Sequence, residues 1–153
     1  MSLIWKYNTG DPFLYLAPYD SIPKGVTHII NVTSDMEEYI GVTTLRVPVE
    51  DHPDEDISLY FSRCFQFLDN VYDSGGVALV HCMAGISRSS TIVIAYLMYK
   101  FRMTLNRSIF HVNDCKRGIH PNEGFFSALS TLEMYLYGYN TIAYEEYDPF
   151  PDI

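Results

Sequence analysis

What this chain has little of sets the first limits on it. Its 153 residues include three cysteines, Cys64, Cys82 and Cys115. An odd, widely spaced set with no CxxC pair argues against a disulfide framework and for a reducing compartment, expected to be the cytoplasm with the nucleus as an alternative. The histidines, His28, His52, His81, His111 and His120, are not spaced as metal ligands, so no metal site is expected. Positive charge is scarce: 10 Lys and Arg against 19 Asp and Glu give a formal net charge of −9, with no Lys/Arg run anywhere. That balance argues against a broad nucleic-acid or anionic-membrane footprint. The longest apolar run, Thr91 to Tyr99, is too short to span a bilayer. The first residues lack a basic stretch followed by a long apolar one, so no signal peptide is expected.

What is present is a globular chain, 48% hydrophobic and 15% aromatic, long enough for one domain with a real core. A single domain over residues 1–153 is expected, with a core at about 10–139 and a loosely packed acidic tail at 140–153. Met1-Ser2-Leu3 carries no weight in this reading. Phe13-Leu14-Tyr15-Leu16, ended by Pro18, reads as an edge strand, and Tyr19 to Lys24 as one helical turn. His28 to Val32 suits a buried strand, and Thr44 to Val49 another, with Pro48 marking its end or an edge. After the acidic segment Glu50 to Asp56, apolar residues from Ile57 to Tyr72 recur in steps of three and four, predicting an amphipathic helix capped by Asp56. Cys64 falls on its apolar face. Val77 to Val80 reads as the central strand, and helices follow over Ser89 to Arg102, from Leu105 to near Arg117, and from Pro121-Asn122 onward. This order predicts an α/β fold, a mainly parallel central sheet sandwiched by helices.

The central strand runs into His81-Cys82-Met83-Ala84-Gly85-Ile86-Ser87-Arg88-Ser89. A cysteine then ends a buried strand, and an arginine opens a helix whose first N–H groups lack helical partners at the positive end of its dipole. That is an anion site. A thiolate is a nucleophile only when ionised; a free thiol has a pKa of about 8.5, and helix N-termini with cationic neighbours lower it. Arg88 can hold two phosphoryl oxygens through its planar fork, and Gly85 gives the backbone freedom a tight cradle needs. Phosphate binding is therefore assigned to Met83, Ala84, Gly85, Ile86, Ser87 and Arg88. Ser89 is the better candidate for a hydrogen bond to the sulfur. Attack by Cys82 on phosphorus would give a phospho-cysteine, and one carboxyl group could protonate the leaving oxygen and later activate water. Asp51 is the chosen acid, because it begins a loop beyond a strand and precedes the Pro53 turn; spacing alone leaves Asp54 open.

The stretch from His81 to Ser89 resembles the HCxxGxxRS signature of the cysteine-based dual-specificity protein phosphatases, within the protein tyrosine phosphatase superfamily. Leu14-Tyr15-Leu16 and Thr27 to Thr33 are similar to the family's opening strands, Val49-Glu50-Asp51 with Asp56-Ile57 to its general-acid loop, and Ala95 to Met98 and Pro121-Asn122 with Phe125 to its helices. The resemblance implies a single phosphatase domain with a phosphate-binding loop between a strand and a helix. It implies action on phosphotyrosine and phosphoserine or phosphothreonine of protein substrates, without metal or other cofactor. It favours Asp51 over Asp54 and gives His81 a supporting role. Relatives acting on inositol lipids carry lysines in this loop, and RNA-directed ones have basic surroundings; Met83, Ala84, Ile86 and Ser87 and the acidic chain lean against both. Lys116 and Arg117 could read a second substrate phosphate or simply complement a helix C-terminus. Alternatives from other classes are a phospho-dependent binding module with little turnover and a lipid or RNA phosphatase. No redox pairing of Cys64 or Cys115 with Cys82 and no preceding kinase-docking domain are expected.

Overall fold

The β-branched and aromatic runs pair into one sheet. In the computed structural model, which describes residues 2–20 and 22–147, the strands are β1 (Ser2–Lys6), β2 (Pro12–Pro18), β3 (His28–Asn31), β4 (Thr43–Arg46) and β5 (Ala78–Cys82). Their order is β1-β2-β5-β3-β4, antiparallel between β1 and β2 and parallel elsewhere. Every residue of β5 is buried, as the centre of a parallel sheet requires. The mainly parallel sheet flanked by helices is the architecture expected from the order of apolar segments.

Two local expectations are corrected. Phe13 to Leu16 is not an edge, because β1 covers it: Ile4 is buried and Trp5 stacks on Phe101 with centroids 4.1 Å apart. The strand expected to reach Val49 stops at Arg46, and β4 is one edge of the sheet. The helical turn expected over Tyr19 to Lys24 falls partly on Ser21, outside the described residues; turns flank that position.

The segment after the acidic loop begins as a 3-10 turn (Ile57–Tyr60), where the Asp56 carboxylate accepts from Ser58 N–H at 3.2 Å. It continues as α1 (Phe61–Asp73), burying Phe61, Cys64, Phe65, Leu68 and Val71. Next, α2 (Arg88–Phe101) is buried without interruption from Ser89 to Met98, the mark of a core helix rather than a surface one. Tyr96 is fully buried within it, and its hydroxyl donates to Asp69 of α1 at 2.8 Å. Thr104 caps α3 (Leu105–Cys115) and Asn122 caps α4 (Glu123–Tyr137), each with a side-chain oxygen that accepts a first-turn N–H.

The four long helices share the larger core with Leu14, Leu16, Ile30, Ala78 and Val80 of the sheet. On the other face Ile29, Leu79 and Ala17 pack with Tyr15 and with the loop residues Ile22, Val26, Tyr39 and Val42. Residues 140–147 are packed, against expectation. The buried Glu133 carboxylate accepts from Leu105 N–H, Thr141 N–H and the Thr141 hydroxyl at 2.7 to 2.8 Å. The short α5 (Tyr144–Tyr147) stacks Tyr147 on Phe126. The remainder of the expected tail, 148–153, lies outside the described residues.

Candidate active site

Parallel pairing sets Cys82 opposite Pro18, and His81 opposite both Ala17 and Asn31. The nucleophile candidate therefore stands at the carboxyl end of the sheet's middle strand, where loops of an α/β sheet gather. From there the chain turns at Gly85, whose φ is +72, a conformation that costs glycine nothing and other residues about 1 kcal/mol or more. The space is also filled: a Cβ there would stand 3.2 Å from the Ala17 backbone and 3.1 Å from Lys116 Cε.

Several loop carbonyls are tied up by neighbours. Met83 O accepts from Tyr19 N–H at 3.3 Å, Ile86 O from His120 N–H at 2.8 Å and from the Ser90 hydroxyl at 2.5 Å, and Ser87 O from the Thr91 hydroxyl at 2.7 Å. Turning carbonyls away and amides inward is how a backbone loop becomes an anion cradle. Cys82 Sγ lies at its base, only 3% exposed. It accepts from Gly85 N–H at 3.2 Å and is 3.1 Å from Ser89 Oγ. Met83 and Ile86 project outward, 55% and 43% exposed.

Beneath the cradle, buried His81 brings Nδ1 to 3.4 Å from the Cys82 carbonyl. As a neutral ring with Nδ1 protonated it donates there. Burial pushes its imidazole pKa down from the ordinary value, the bond to Cys82 opposes the shift, and the Arg46 charge adds to it. The rings of Tyr19 and Tyr39 meet it edge-on.

Arg88, the first residue of α2, donates from Nη1 to the Val49 carbonyl at 3.1 Å. That bond joins the guanidinium to the backbone two residues before Asp51. The acidic residues nearby divide by their partners. Glu50 accepts from the Ser34 hydroxyl at 2.5 Å, Glu55 from Glu50 N–H at 2.9 Å, and Asp56 caps the 3-10 turn. Asp54 lies beside His52, with its carboxylate 3.8 Å from the ring. Asp51 alone among them bonds toward the cysteine loop's own partner: its Oδ1 accepts from Asn122 Nδ2 at 2.9 Å, while Asn122 N–H donates to Ser87 Oγ at 3.1 Å.

Asn122 was read from sequence only as the opening of a helix; its two further bonds cross 35 and 71 positions of chain and leave no local signature. Lys116 reaches the loop beside Gly85, and Arg117 is exposed. Cys64 is buried in the core, where burial pushes its thiol up to about 12, so it is inert packing at neutral pH. Burial also raises the half-buried Cys115 thiol, as does the charge of Asp114.

Residues 14–134 match the family model for the dual specificity phosphatase catalytic domain. The chain is 40% identical over 113 residues to dual specificity protein phosphatase 1 of Arabidopsis thaliana, covering 71% of this chain and 56% of that one. It is 39% identical over 131 residues to human dual specificity protein phosphatase 4, covering 80% of this chain and 33% of that one. It thus spans a third to a little over half of these curated relatives. Among solved structures it superposes on human DUSP28 with a TM-score of 0.77 at 30% identity, covering 82% of this chain and 94% of that one.

Proposed function

The chain belongs to the dual-specificity phosphatase family, and from that premise we propose that it hydrolyses phosphotyrosine and phosphoserine or phosphothreonine of protein substrates through a phospho-cysteine intermediate. One observation carries the reading: the Cys82 sulfur sits at the base of the loop with Gly85 N–H and Ser89 Oγ on it and Arg88 at the start of the following helix.

In the first step the Cys82 thiolate lone pair forms an S–P bond while the P–O bond to the substrate breaks, and Asp51 gives its proton to the leaving oxygen. Met83 to Ser87 supply backbone amides to the phosphoryl oxygens, and the Arg88 fork holds two of them as charge builds in the transition state. In the second step water attacks phosphorus, its proton returns to Asp51, the S–P bond breaks, and inorganic phosphate leaves. Ser89 steadies the departing thiolate by donating its hydroxyl. His81 fixes the Cys82 carbonyl and so the direction in which the loop leaves the strand. The neutral side chains of the loop favour protein over inositol-lipid substrates, and the compartment is the cytoplasm or nucleus.

Purified protein should hydrolyse aryl phosphates and phosphopeptides in the presence of a chelator, and Cys82→Ser should remove this activity. Turnover surviving that substitution would sink the mechanism. Tight phosphopeptide binding with negligible hydrolysis by the unaltered protein would move the reading to a binding module, and preference for inositol phosphates or capped-RNA precursors to the other phosphatase classes.

A further inference from the structure

The acidic loop that carries Asp51 has neither helix nor strand from Val47 to Asp56, and Asp51 itself is exposed. An exposed carboxyl on such a loop delivers a proton efficiently only if something holds it, since small misplacements of a catalytic group cost large factors in rate. The first turn of α4 makes two unrelated contacts with this loop.

The first is Asn122. Its side-chain oxygen accepts from Phe125 N–H at 2.9 Å as the α4 cap, and that bond decides which end of the amide is oxygen. The nitrogen is thereby the end turned to Asp51 Oδ1 at 2.9 Å. Since an amide nitrogen only donates, Oδ1 must be the accepting oxygen, and Oδ2 is left to carry the transferable proton. Its backbone N–H reaches Ser87 Oγ at 3.1 Å, so one residue is bonded to both the acid and the phosphate loop.

The second is Gly124. A Cβ at this position would lie 1.9 Å from Pro53 O and 2.7 Å from Pro53 C. The absence of a side chain here lets the backbone of the acid loop rest directly on α4.

From these contacts we infer that the α4 N-terminus is a positioning clamp for the general acid, with Asn122 selecting the proton-bearing oxygen of Asp51 and Gly124 setting the height of the loop. This rests on the phosphatase reading above and deepens it: the clamp governs activity on alkyl phosphates, phosphoserine and phosphothreonine, which need a proton on the leaving oxygen, more than on aryl phosphates with good leaving groups. Asn122 and Gly124 touch no reacting atom and act through Asp51.

The test compares kcat and KM of Asn122→Ser, Asn122→Asp and Gly124→Ala, with Asp51→Asn as reference, on a leaving-group series from a dinitrophenyl phosphate to a phosphothreonine peptide. Ser and Asp both keep the helix cap, Ala strengthens helix propensity, and a thermal midpoint is recorded for each. A residue that merely stabilises the fold would depress all substrates alike. The clamp predicts a kcat loss for the phosphothreonine peptide on the order of tenfold to hundredfold greater than for the dinitrophenyl ester, with KM little changed. Asn122→Asp should lose more than Asn122→Ser, because it sets a carboxylate against Asp51. If Asp51→Asn shows the leaving-group dependence and the three clamp variants do not, the clamp alone is refuted. If Asp51→Asn shows none, the acid assignment falls and the clamp with it.

Discussion

His81 is the residue through which the cradle's support can be read spectroscopically. It is fully buried, faces the Cys82 carbonyl, and is held as a neutral ring by burial, with Arg46 adding to the depression. When a histidine's folded pKa lies below its unfolded one, the unfolded chain takes up more protons between the two values. Its contribution to stability is therefore complete above the unfolded pKa of about 6.5 and is lost as pH falls from there through the folded value. NMR titration of the His81 imidazole should give a midpoint below that of a free histidine. A midpoint at or above the free value would contradict the neutral, donating assignment. At this scale the cysteine loop was readable from sequence because His81, Cys82, Gly85, Arg88 and Ser89 lie within one short stretch, and the peptide geometry between them leaves few ways to fold. The choice of Asp51 rests on its place just beyond a strand and before the Pro53 turn, and only likeness favours it over Asp54; the bond to Asn122 adds a contact that Asp54 lacks.

Helices and strands were legible where their apolar periodicity was long, as in α1, α2 and α4, and missed where long-range contact creates them. β1 exists because β2 offers it an edge and Phe101 and His111 offer Trp5 a surface. Nothing within Ser2–Lys6 declares a strand by itself. The same holds for the end of the chain: residues 140–147 look like an acidic tail until Glu133 gathers Asn140 and Thr141 onto α4 and caps α3 through Leu105 N–H. A buried carboxylate with this many donors is worth more than one hydrogen bond, and replacing one of its oxygens by an amide turns a donor against a donor. Glu133→Gln is expected to lower the unfolding free energy by about 2–3 kcal/mol, measured by urea denaturation. A variant within experimental error of the parent would show that the carboxylate does not join these elements.

Over the whole molecule, a formal charge of −9 surrounds a loop arranged for an anion. In the proposed function, attraction for phosphate is thus local, supplied by backbone amides, a helix terminus and Arg88 rather than by the protein's overall field. The fold serves that locality: a sheet buried at β5, a core helix whose first turn closes the loop, and a later helix whose first turn grips the acid loop. The most direct test of this account is to look for the covalent intermediate. Turnover of a phosphotyrosyl peptide would be quenched in acid during the first cycle, and the protein digested and mapped by mass spectrometry. The account predicts one phosphoryl group, carried on Cys82, absent from Cys82→Ser and more abundant when the second step is slowed by Asp51→Asn on a substrate with a good leaving group. A protein that turns over under these conditions with no phosphoryl group on Cys82, or with one on another residue, would contradict it.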